Sequence, residues 1–162
     1  MPYNTFIRNK PMGTTFAEYA ASADAREQIA ANVEKWTKML CEALRMNYIK
    51  YTIRCIHRNH EMFGNGEPLS TYHAERLVKL NNDECDMEFV FESGRKYHKI
   101  WQVDASGSRS CHAFIDKKTG EVYKPASYKA PAKGVRFDLR LIEHREWLLE
   151  NADWAGGYLY VR

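Results

Sequence analysis

Residues 87–124 read MEFVFESGRKYHKIWQVDASGSRSCHAFIDKKTGEVYK, and this stretch decides the fold. Met87, Phe89 and Phe91 alternate with Glu88 and Glu92, the period of two that gives a strand one apolar and one polar face. Ser93-Gly94 turns the chain, and Tyr97 to Val103 forms the next strand, with His98 and Lys99 keeping both faces partly polar. Ala105-Ser-Gly-Ser is another turn, followed by a strand from Cys111 to Ile115. Asp116-Lys-Lys-Thr-Gly120 resembles a hairpin loop in which Gly120 takes positive φ before Glu121 to Lys124 return. Short strands joined by tight turns pair antiparallel.

Outward from this core, Ile29, Val33, Trp36, Leu40 and Leu44 fall at steps of four, three, four and four, one apolar stripe of a helix. Thr15 with Glu18 and Asp24 with Glu27 offer start signals, and the helix is expected to end near Met46. Ile49, Tyr51, Ile53 and Cys55 alternate with Lys50, Thr52 and Arg54, which predicts a half-buried strand over 49–58. Gly64, Gly66 and Pro68 mark a loop; Ser70 or Thr71 caps a short helix to about Leu80, with Leu77 and Leu80 buried. Pro125 and Pro131 preclude regular sheet through 125–136. Leu141 to Leu149 is a helix, and Tyr158 to Val161 is expected as a last edge strand. Such an exposed apolar edge invites a second subunit, so a homo-oligomer is expected. The fold class is α+β: an antiparallel sheet of four to five strands packed by a long N-terminal helix, a short middle helix and a C-terminal helix. Residues 1–162 are expected as a single domain, with an arm and long helix over 1–47, the sheet with its basic hairpin over 48–140, and the closing helix over 141–162.

The chain of 162 residues is one domain's worth, and 44% hydrophobic with 28% charged residues is too apolar for a disordered chain. No apolar run reaches the ~18 residues a bilayer span needs, so no membrane partner is expected. The N-terminal residues lack a secretory pattern, and Cys41, Cys55, Cys85 and Cys111 form no paired CxxC spacing. Reduced thiols in a cytosol fit this usage. Charge is uneven. Residues 81–93 hold five acids and no base, whereas residues 94–136 hold ten cations against three acids, a net +7. A local positive field of that kind attracts phosphates.

The basic stretch is the candidate binding segment. Lys118, Lys124, Lys129, Lys133 and Arg136 meet phosphate as point charges or, for arginine, as a bidentate fork, and the rings of Tyr123 and Tyr128 offer faces to a base. Gly134 lets backbone N–H groups approach an anion. The same lysines also suit a solvated hairpin that keeps a sheet edge soluble. Candidate catalytic residues are His98 and His112, which a β-hairpin would bring within cross-strand range as an acid–base pair for phosphodiester cleavage. Cys55, His57 and His60 are candidate metal ligands, but zinc sites are announced by tighter paired spacings, and neither a metal nor another cofactor is expected. Trp101, Trp147 and Trp154 read as core or helix-on-sheet packing.

Three segments, Arg95-Lys-Tyr-His-Lys-Ile, Ser110-Cys-His-Ala-Phe-Ile-Asp116 running on to Lys124, and Ala130-Pro-Ala-Lys-Gly-Val-Arg136-Phe-Asp-Leu139, resemble a group of small uncharacterised tailed-bacteriophage proteins. The match covers about residues 70–139, with FIDKKTGEVYKPASYKAPAKGVRFDL as its tag. The resemblance implies a phage protein acting in the cytoplasm of a bacterial host, and it carries no catalytic residues with it. The expected function is binding of a phosphate-containing ligand, a nucleotide signal or nucleic acid, as a counter-defence sponge or host-takeover factor. A nucleotide phosphodiesterase and a protein-only inhibitor of a host protein are the other two readings.

Overall fold

The computed structural model describes residues 16–160. Helix α1 spans Phe16–Phe63, 48 residues without a glycine or proline. It ends at Gly64, whose N–H donates to the His60 carbonyl at 2.8 Å. A Cβ there would stand 2.4 Å from that carbonyl oxygen, so only glycine lets the chain leave the helix along this path. Helix α2 is Thr71–Asn81, with the Ser70 side chain accepting from the His73 N–H as its N-cap. Strands β1 (Glu88–Ser93), β2 (Tyr97–Val103), β3 (Arg109–Asp116), β4 (Glu121–Tyr123) and β5 (Phe137–Asp138) follow, then helix α3 (Ile142–Asn151) and a 3₁₀ turn at Gly157–Tyr160.

The five strands form an antiparallel meander in chain order. The α+β class therefore holds: the long α1 packs on the sheet, α2 packs against α1, and α3 lies against α1 and β5. Two expectations fail. Residues 49–58 are not a strand but the continuation of α1, because Ile49, Thr52 and Ile56 also sit at helical spacing, and Ile49 and Ile56 pack with Leu77 and Leu80 of α2. Residues 157–160 are not an edge strand either. They coil into the 3₁₀ turn with Tyr158 and Leu159 buried, so this segment offers no strand edge to a second subunit.

Val33, Leu40, Cys41 and Leu44 of α1 lie against Phe89, Ile100, Ala113, Ile115 and Val122 of the sheet, joined by Leu139, Leu148 and Leu159. The buried hydroxyls of Thr37 and Thr52 donate to the carbonyls of Val33 and Tyr48 at 2.8 Å, so neither is left unpaired. Residues 24–28, one helical turn N-terminal to this core, are exposed. Trp154 locks the C-terminal segment onto α1: its N–H donates to Asn47 Oδ1 at 2.9 Å, and its ring packs against Tyr48 and Tyr51. Among the described residues, no helix is long and apolar enough to cross a membrane.

Candidate functional site

The β2–β3 register decides what the histidines do. Ile100 pairs with Ala113 but Trp101 pairs with Cys111, so His112 is an extra residue on β3. The bulge turns both His112 and Ala113 toward the helix side. His98 pairs with Ile115 rather than with His112, so the expected cross-strand pair does not form. Each ring has its own partner: His98 Nδ1 meets Ser93 Oγ at 2.8 Å at the end of β1, and His112 Nε2 meets Tyr158 Oη at 2.8 Å in the interior. Burial pushes the His112 imidazole down to about 4, and burial with nearby Lys117 lowers His98. Two buried neutral rings with separate partners do not make an acid–base pair.

The metal candidates also separate. On a helix Cys55 and His57 point to different sides, and His57 is exposed. Cys55 and His60 instead line a cleft of about 480 Å³ with His73 and Arg76. Among the described residues, no three His, Cys, Asp or Glu side chains are grouped to hold a metal ion. Burial pushes the thiols of Cys41 and Cys111 up to about 12 and about 11, which removes them as nucleophiles.

The basic segment divides into three places. Lys118 lies in the β3–β4 turn, where its N–H and that of Thr119 donate to Asp116 Oδ1 at 2.9 and 3.1 Å. Gly120 closes this turn at φ +75, as its position after Lys118-Thr119 predicts. The second place is the sheet face away from α1. There Tyr123 packs edge-on to Tyr97, and the 125–131 loop is closed by a Pro125–Pro131 bridge. Lys99 donates to the Tyr128 carbonyl, and its ammonium also stands 5.1 Å from the Trp101 ring centre and 5.3 Å from that of Phe114. Lys129 lies over Tyr128, and Lys124 over Tyr160 at 4.4 Å. Lys99, through the Tyr128 carbonyl, thus tethers the loop and Lys124 rests on Tyr160, while the Tyr128 and Lys129 side chains stay exposed.

The third place is a cleft of about 570 Å³ between the β5 edge and α3. Gly134, Val135, Arg136 and Phe137 form one wall, and Glu143, His144 and Trp147 the other, with Lys133 exposed directly before Gly134. Arg136 Nε is buried and has no hydrogen-bond partner. A buried guanidinium N–H without an acceptor is costly, and among the described residues no carboxylate pairs with Arg136, which leaves the charge of its guanidinium available to an anion. His144 Nδ1 accepts from the Asp138 N–H at 2.9 Å, which leaves its ring proton on Nε2 as a donor.

An aromatic column runs to this cleft from the interior. His112 stacks on Tyr158, Tyr158 on Phe137, and Phe137 on Trp147, with interplanar angles of 30°, 30° and 19°. Trp147 ends the column and is 38% exposed. Of the predicted binding residues, Gly134 and Arg136 reach the cleft. Phe137, Glu143, His144 and Trp147 were not among them. The i, i+4 spacing of Glu143 and Trp147 places them on one helix face, a signal that is mute until the strand opposite is known.

A family model described as a family of unknown function (DUF7717) matches residues 16–161. No curated protein and no solved structure matches the chain.

Proposed function

Because the chain belongs to the DUF7717 family, whose function is unknown, its own side chains must supply the reading, and we propose that it is a binding protein for a phosphate-containing ligand taken in the β5–α3 cleft. One observation carries this: Arg136 lines the cleft, and among the described residues its guanidinium has neither an ion pair nor a side-chain hydrogen bond. A guanidinium at a cleft wall without a carboxylate partner suits an incoming oxyanion, which it can meet as a bidentate fork. Lys133 and the Gly134 backbone, at φ +97, lie beside it and add positive potential. Binding without turnover fits the histidines, both enclosed in the core. The resemblance over residues 70–139 to small tailed-phage proteins supports a setting in an infected bacterium, where sequestering a nucleotide signal would counter a defence.

The test is calorimetric titration of the purified chain with inorganic pyrophosphate and with nucleotides, at low and high salt. Binding should weaken as salt rises, and Arg136→Gln should weaken it at least tenfold. Ligand recovered after denaturation should be chemically intact by mass spectrometry. Equal affinity in wild type and R136Q, or no binding of any phosphate compound, would overturn the proposal.

A further inference from the structure

We infer that the ligand of this cleft is a nucleotide held by both ends, its base stacked on Trp147 and its phosphate on Arg136. The inference rests on the phosphate reading above and adds the class of the rest of the molecule. Trp147 has Phe137 against one face, with ring centres 5.3 Å apart, so its exposed area lies on the other face and the ring edges. A flat π-system laid there extends a column that already contains four rings. Stacking on an aromatic side chain is open to every base, because each has a π-face.

The walls are chemically polarised, and this orients the ligand. The cation stands on the strand wall, and Glu143 stands one turn before Trp147 on the helix wall. A carboxylate repels phosphate but accepts hydrogen bonds from a ribose diol or an exocyclic amine. Among the described residues no ion pair joins Arg136 to Glu143, so neither charge is neutralised by direct contact with the other. His144 Nε2–H lies between the two ends in sequence and adds a donor. A cavity of about 570 Å³ is of the size that takes one small ligand.

The experiment compares adenosine and guanosine monophosphates with inorganic pyrophosphate by calorimetry on the full chain. At least one nucleotide should bind about tenfold or more tightly than pyrophosphate, since stacking contributes roughly fivefold to over a hundredfold. Trp147→Leu should bring nucleotide affinity down to that of pyrophosphate, and Trp147→Phe should restore most of it. Glu143→Gln, a surface change that does not disturb the Phe137 stack, should weaken nucleotide binding while tightening pyrophosphate. If pyrophosphate binds as tightly as either nucleotide, or W147L binds nucleotide as well as wild type, the base-stacking inference is wrong while the phosphate reading stands. If neither pyrophosphate nor nucleotide binds, both are wrong.

Discussion

Lowering the pH from 7 to 5 should destabilise the fold by about 2 kcal/mol through His112 alone. Its imidazole has a pKa of about 4 in the folded protein, chiefly because burial penalises the charged ring. In the unfolded chain it returns to about 6.5. Above that value both states hold a neutral ring and His112 gives no pH dependence. Below it the unfolded chain takes up a proton that the folded one refuses, so stability falls by about 1.4 kcal/mol per pH unit and levels off near pH 4. Integrated from pH 7 to 5 the loss is about 2 kcal/mol, and it reaches about 3 kcal/mol at the lower end. His98, lowered by burial and by Lys117, adds with the same sign. Between pH 7 and 5 ordinary carboxylates stay mostly ionised, so this part of the window reads the histidines. Urea denaturation at pH 7, 6 and 5 reads the effect directly. With a slope of about 2 kcal/mol per molar, the midpoint should drop by about 1 M. His112→Gln keeps a side chain that can reach Tyr158 and removes the titration, so most of the pH dependence should vanish whatever the variant's absolute stability. A wild-type midpoint that does not move, or an H112Q slope equal to that of wild type, would refute the reasoning.

Two further changes probe the frame around the cleft. Gly120→Val should cost about 2–4 kcal/mol, because a β-branched residue resists φ +75 and its Cβ would press on Val33 Cγ2 at 3.3 Å and Leu139 Cβ at 3.4 Å. A thermal melt unchanged from wild type would contradict this. Asn47→Ala leaves the Trp154 N–H without its acceptor and should cost about 1–2 kcal/mol, with faster amide exchange at Trp154 as the local signature. Unaltered exchange there would mean that the ring contacts alone hold the segment.

Strands β1 to β4 and helix α2 were legible because each carries a single unambiguous signal: alternation between turns, or a Ser70 cap ahead of Leu77 and Leu80. Residues 49–58 carried two. Ile49, Tyr51, Ile53 and Cys55 satisfy a period of two, while Ile49, Thr52 and Ile56 satisfy the helical one. Continuity decided the matter, since nothing between Phe16 and Phe63 breaks a helix already running. At the C-terminus, Tyr158-Leu-Tyr160 alternates like a strand, but the glycines before it bring the segment in beneath the sheet, where Tyr158 meets His112. The candidate site was half legible. Composition located the basic segment, and Gly134 and Arg136 within it reach the cleft. Trp147 reads as packing because one of its faces is packing; its exposure follows from where β5 ends, a fact of three dimensions. The bulge that sends His112 inward leaves no mark in the alternation of residues 110–116 that a reader could separate from ordinary variation.

At 1.5 Å per residue, α1 is about 72 Å long, while a chain of this size folds to a radius of gyration of about 15 Å. One rod therefore carries two hydrophobic clusters in series: the sheet core around Val33 to Leu44, and the smaller group of Ile49, Ile56, Leu77 and Leu80. The clusters share no member, and the second is small. Its helical hairpin can open as a cooperative unit of its own, below the free energy of global unfolding, while the meander and the β5–α3 cleft stay folded. Amide protons of residues 52–81 should accordingly exchange as one group ahead of those in β2 and β3, giving the molecule two levels of protection along a single helix.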